Sequence, residues 1–188
     1  MTAQNVSHKL FKKHLQINTK KIKFNKCEFN NKSLTGNLLR LIRSEDIRFI
    51  DNYFDVLDGS LLDFYITGSK DVLFTKNTFN NFGEMFDIYP SSDSIKVIDN
   101  IHTNVRDRVI ASRSPNTIFS KNIIKVKESA DFSRASLGYF SGDNCDLVIT
   151  DNIVDLKGVG SYRGGSVFLG NTSDAISGYV DGNYIKSD

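Results

Sequence analysis

"IRFIDNYF", residues 47–54, sets large apolar side chains at Ile47, Phe49 and Phe54 and puts an amide, Asn52, between the last two. Taken alone it is a short strand with one buried face that runs into a turn. The octet recurs, however. "IKFNKCEF" (22–29), "VLFTKNTF" (72–79), "IKVIDNIH" (95–102), "TIFSKNII" (117–124), "LVITDNIV" (147–154) and "GYVDGNYI" (178–185) follow the same template. Apolar residues fill its first, third and eighth places, and asparagine fills the sixth: Asn52, Asn77, Asn100, Asn122, Asn152 and Asn183. Cys27 takes that place in the first copy, Gly178 weakens the first place of the last copy, and His102 weakens the eighth place of the fourth.

Successive sixth places are separated by 25, 25, 23, 22, 30 and 31 residues. The two long intervals contain "KESADFSRAS" (127–136) and "GVGSYRGG" (158–165), which read as loop insertions and form a plausible recognition edge. The glycine-rich stretch lacks the Lys-Ser/Thr that completes a phosphate loop. A second strand series runs between the octets: "LQI" (15–17), "LRLI" (39–42), "LLDFYI" (61–66), "MFDIY" (85–89), "RVIAS" (108–112), "LGYF" (137–140) and "SVFL" (166–169).

A unit of about 25 residues cannot bury its own apolar face, so it must stack on its neighbours. If each unit makes one turn of a coil, equivalent strands lie parallel about 4.8 Å apart. The asparagines then form a column, each amide donating to one rung and accepting from the other. Asparagine also tolerates the left-handed backbone expected at a corner between strands. The sequence predicts an all-β fold, a right-handed single-stranded parallel β-helix of about seven rungs over residues 15–188, led by a basic cap segment over 1–14. "SHKLFKKHL" (7–15) suits either a short helix capped by Ser7 or irregular chain. A leucine-rich horseshoe lacks its consensus here, a propeller blade needs a longer repeat, and an antiparallel sandwich gives no reason for one recurring asparagine slot.

Apolar residues make up 39% of the 188, and no apolar run is long enough to span a bilayer. The first residues contain no secretory apolar core. Residues 1–48 hold eleven Lys/Arg against three Asp/Glu, whereas residues 49–188 hold thirteen against nineteen. The basic first quarter suits solvation or a polyanion, with nucleic acid the least favoured partner. Cys27 and Cys145 form neither a disulfide framework nor a metal set, and about five rungs, roughly 24 Å, would separate them. Both are expected to be unbridged thiols. No residue pattern calls for a metal or any other cofactor.

The octet with its inward asparagine resembles the right-handed parallel β-helix of the pectate-lyase-like superfamily, which includes many bacteriophage tailspikes. The resemblance covers about residues 15–185. It implies a tailspike-like module that binds, and in some cases depolymerises, a cell-surface polysaccharide. It further implies a homotrimer or a segment of a longer chain, and a virion or extracellular setting. The alternative is a secreted glycan hydrolase or lyase that uses outward carboxylates. No catalytic motif of any one enzyme family is matched.

Such proteins use an outward strand face as a groove. Period-two alternation turns Leu62, Phe64, Ile66, Phe86 and Ile88 inward. It leaves Asp63, Tyr65, Asp87 and Tyr89 outward, with Glu84 at the edge. Asp63 and Asp87 on neighbouring rungs, with Glu84, are the candidate catalytic carboxylates. Tyr65 and Tyr89 offer flat faces to sugar rings, and Arg108 and Arg113 offer forks to acidic groups. His102, in an apolar slot, reads as a packed histidine.

Overall fold

The computed structural model describes residues 2–4, 7–9, 15–31, 37–56, 64–83, 85–127, 131–132, 137–141, 145–156, 161–162, 168–170 and 176–186. The chain is an all-β parallel solenoid whose three main sheets are each built from one strand per repeat. The first sheet stacks Thr2–Gln4, Lys20–Asn25, Glu45–Ile50, Lys70–Thr75, Asp93–Ile98, Thr117–Ser120, Cys145–Thr150 and Ile176–Asp181 in that order. The second stacks Ser7–Lys9, Glu28–Asn31, Tyr53–Val56, Thr78–Asn80, Ile101–Val105, Ile123–Val126, Ile153–Asp155 and Tyr184–Lys186. The third stacks Leu15–Ile17, Leu39–Ile42, Phe64–Thr67, Phe86–Ile88, Ile110–Ser112, Gly138–Phe140 and Phe168–Gly170. Asp131–Phe132 and Ser161–Tyr162, from the two long insertions, pair in parallel as a separate small sheet.

The rung count differs from the expected seven. Thr2–Gln4 pairs with residues 23–25 and Ser7–Lys9 with residues 28–30, so two of the sheets hold eight strands. Ser7–Lys9 is a strand and not the first turn of a helix. This early rung carries no asparagine slot, which is the feature that marked the others.

The core is a set of stacked columns. Phe24, Phe49 and Phe74 lie face to face at 4.9 and 4.8 Å, within 6° of parallel. Phe29, Phe54, Phe79 and His102 form a second column at 4.6, 5.0 and 5.0 Å. Phe64 and Phe86 stack at 5.1 Å, and Phe64 also meets Phe54, Phe74 and Phe79 edge to face. Burying one such ring contributes about 1.5–3 kcal/mol, and the stacked geometry adds roughly 0.5–1.5 kcal/mol per pair.

The asparagine column has the expected geometry. Asn77 donates from its backbone N–H and from Nδ2 to Asn100 Oδ1, at 2.9 and 3.0 Å, and from Nδ2 back to the Phe49 carbonyl at 2.9 Å. Asn52, Asn100, Asn122 and Asn152 repeat the pattern, and Asn183 closes it on the Ile149 and Asp181 carbonyls. Cys27 starts the column, its N–H donating to Asn52 Oδ1 at 2.9 Å. It is a buried, reduced thiol, while the Cys145 side chain lies outside the described residues.

The left-handed backbone belongs to a different residue from the one expected. It falls on the position before each ladder member: Lys26, Asp51, Lys76, Asp99, Lys121, Asp151 and Gly182, with φ between 54° and 64°. The turn thus places an exposed residue at the strained position and leaves the asparagine free to face inward. A second left-handed column, Lys21, Asp46, Asp71, Ser94 and Asn116, interrupts the start of the first sheet. The strand pairing skips the first four of these residues on both partners, so the ladder is interrupted there without a change of register.

A second polar column lines the corner from the third sheet to the first. The Ser44 N–H donates to Ser69 Oγ at 3.1 Å, and the Ser69 N–H to Ser92 Oγ at 3.4 Å. Ser44 Oγ donates to the Ile17 carbonyl and Ser92 Oγ to the Ile66 carbonyl. Among the described residues no helix is long and apolar enough to cross a membrane.

Candidate functional site

The outward face of the third sheet is set by strand register. Gln16, Arg40, Tyr65, Asp87, Ala111 and Tyr139 lie in one column. Asp87 therefore has Tyr65, not a second carboxylate, as its neighbour on the preceding rung. Asp63 and Glu84, the other two candidate catalytic residues, lie outside the described residues. Of the expected site, the structure brings together Tyr65, Asp87, Tyr89 and Arg113.

These four side chains form one contact chain. The Tyr65 and Tyr89 rings are 4.8 Å apart and tilted by 47°. The Arg113 guanidinium lies 4.7 Å above the Tyr89 ring, and its Nη2 donates to Asp87 Oδ1 at 3.1 Å. At the other end, the Arg40 guanidinium lies 5.2 Å from the Tyr65 ring, and its Nε is buried without a hydrogen-bond partner. The array thus runs Arg40, Tyr65, Tyr89, Arg113, Asp87 across four strands of the sheet. Arg108 stands outside it, 5.2 Å from the Tyr139 ring. Burial first, and then the Asp87 carboxylate, raise the Tyr89 phenol above its usual value of 10.

Arg40 and Tyr139 were missed as site members. The signal was present in the sequence, since Arg40 lies between Leu39 and Leu41 and Tyr139 between Gly138 and Phe140 in the second strand series. What was missing was the register that puts them level with Tyr65 and Asp87.

Chemically, the array presents guanidinium forks held on aromatic platforms. A fork held in this way loses little freedom when it binds a carboxylate, phosphate or sulfate. Tyr65 has Arg40 and Tyr89 as neighbours, and Tyr89 has Tyr65 and Arg113, which leaves the ring edges for a sugar. The Asp87 carboxylate is committed to Arg113. Among the described residues, no three His, Cys, Asp or Glu side chains are grouped to hold a metal ion.

Two other concavities differ in character. A groove of about 470 Å³ follows the second left-handed column, at the start of the first sheet, lined by Lys21, Asp46, Arg48, Asp71 and Lys96. Its charges are largely matched internally, as in the Arg48 to Asp46 pair at 2.9 Å. His102, fully buried in its aromatic column, has Nδ1 3.2 Å from the Met85 sulfur, and burial lowers its pKa to about 3. It is a neutral core residue with no access to substrate. The chain matches no protein-family model, no curated protein and no solved structure.

Proposed function

We propose that the protein is a tailspike-like module that binds a cell-surface polysaccharide along the outward face of its third sheet. The observation that carries this reading is the contact chain from Arg40 through Tyr65 and Tyr89 to Arg113 and Asp87. It lies along the coil, in the direction a long polymer would follow. The same reading takes the coil as right-handed, because parallel strands joined by a crossover are right-handed in about 98% of cases. It brings with it the pectate-lyase-like resemblance, a virion or extracellular setting, and assembly as a homotrimer or within a longer chain.

Binding is favoured over cleavage by the state of Asp87. Its carboxylate is held by Arg113 and faces a tyrosine across the rung, whereas a glycosidase needs two carboxylates about 5–9.5 Å apart. The hydrolase or lyase reading would need Asp63 or Glu84 to supply the second group.

The test is a glycan array probed with the parent chain and with Arg40→Ala/Arg113→Ala. We expect binding to a subset of anionic glycans that weakens at least tenfold in the double variant, with thermal unfolding little changed. Undiminished binding by that variant removes the face from consideration. Release of reducing ends, abolished by Asp87→Asn, would transfer the case to the enzyme reading.

A further inference from the structure

One surface of the solenoid is patterned in a way that glycan binding does not use. At the corner between the first and second sheets, the exposed left-handed residues alternate in charge along the axis: Lys26, Asp51, Lys76, Asp99, Lys121, Asp151. Two places further along each rung lies the outward column of the second sheet. After Ser7 and Glu28 on the first two strands, it reads Tyr53, Thr78, Ile101, Ile123, Ile153 and Tyr184. Tyr53, Ile101, Ile153 and Tyr184 are 39%, 40%, 44% and 61% exposed. A shallow groove of about 430 Å³ lies between the two columns at their N-terminal end. Apolar residues exposed along one column mark a contact surface.

We propose that this corner is a self-association surface that pairs two copies of the chain antiparallel, about a two-fold axis perpendicular to the coil. Charge complementarity selects this arrangement. A column of alternating charge facing its own copy in parallel, rung against rung, sets Lys against Lys and Asp against Asp. Reversing one copy and placing the axis between the rungs of Asp99 and Lys121 sets Asp99 against Lys121 and Lys76 against Asp151. The same axis places Asp51 opposite Gly182. It also sets Ile101 against Ile123, Thr78 against Ile153 and Tyr53 against Tyr184. Apolar and charged columns are satisfied together by one operation, which is what a closed isologous interface requires. A trimer whose axis runs along the coil levels equal rungs and needs a different face. The inference does not depend on what the third sheet binds.

The experiment uses the whole chain. Light scattering across a dilution series should show a monomer–dimer equilibrium. Lys121→Asp should weaken the dimer at least tenfold, because Asp99 of the other copy then meets a like charge. Asp99→Lys/Lys121→Asp should restore it. That double variant restores opposite charges between copies but leaves like charges adjacent within each chain, so recovery arises only from the interface. Circular dichroism checks that each variant is folded. Under oxidation, a mixture of Lys76→Cys and Asp151→Cys chains should form a mixed disulfide dimer that Lys76→Cys alone does not, with the parent chain controlling for Cys27 and Cys145. A monomer at every concentration, or efficient self-linking of Lys76→Cys alone, overturns the proposal.

Discussion

Asn77 Nδ2 bridges two rungs, donating forward to Asn100 Oδ1 at 3.0 Å and back to the Phe49 carbonyl at 2.9 Å. Asn100 in turn accepts from the Asn77 backbone N–H. Removing the Asn100 side chain therefore strands the Asn77 N–H and the Phe74 carbonyl, both buried on the preceding rung. Each unsatisfied buried group costs roughly 1–3 kcal/mol, so Asn100→Ala should lower stability by at least about 3 kcal/mol. Asn183→Ala removes the same bonds at the end of the column, where they are only part-buried, and should cost about 1 kcal/mol. Urea denaturation of the two variants measures the contrast, and equal losses would contradict the ladder's role.

The residue before each ladder member has positive φ, and Lys26 at 54° is a convenient probe. A non-glycine residue there costs roughly 1 kcal/mol. Lys26→Gly should leave stability unchanged or raise it by up to about 1 kcal/mol, whereas the β-branched Lys26→Val should lower it by about 1–2 kcal/mol. Thermal melts of the pair provide the check.

His102 gives the fold a pH dependence of known sign. Its folded pKa of about 3 lies below the ordinary 6.5 because burial disfavours the charged ring. The unfolded chain takes up a proton near pH 6.5 that the folded chain refuses. Stability from this residue is therefore intact above pH 6.5 and is lost as the pH falls toward 3. The slope approaches 1.4 kcal/mol per pH unit. His102→Phe, which continues the Phe29–Phe54–Phe79 column, should remove that slope. Denaturation midpoints measured from pH 4 to 8 should diverge between parent and variant on the acid side only.

Tyr89 reports on the candidate site. Burial raises its phenol, Asp87 adds to the rise, and Arg113 opposes it. Asp87→Asn should bring the Tyr89 titration down, and Arg113→Gln should take it further up. Ultraviolet or NMR titration of the phenol distinguishes the two, and identical shifts would mean that the contact chain does not persist in solution.

The parts of this fold that were legible in the sequence are those where one slot admits one chemistry. An interior amide column accepts asparagine and little else, so six copies made the repeat, two of the sheets and their direction readable. The left-handed position was assigned to the wrong residue because lysine and aspartate occupy it alternately, which gives no compositional signature. The serine corner went unread for a related reason. "LIRSE", "ITGSK" and "YPSSD" do contain it, but serine is common in ordinary turns. The site failed on register alone. "LLDFYI" offers Leu62, Phe64 and Ile66 as equivalent inward residues, and only stacking on Phe86 selects Phe64. A shift of two residues preserves the inward–outward pattern while exchanging Asp63 for Tyr65 beside Asp87.

From Asn52 to Asn152 each ladder amide offers an Nδ2 proton to the Oδ1 of the next asparagine, which turns that oxygen toward the rung before it. The dipoles of these side chains therefore add in one direction, as peptide dipoles do along an α-helix. The column of amides has an electrical polarity of its own, with the positive pole toward the C-terminal rungs.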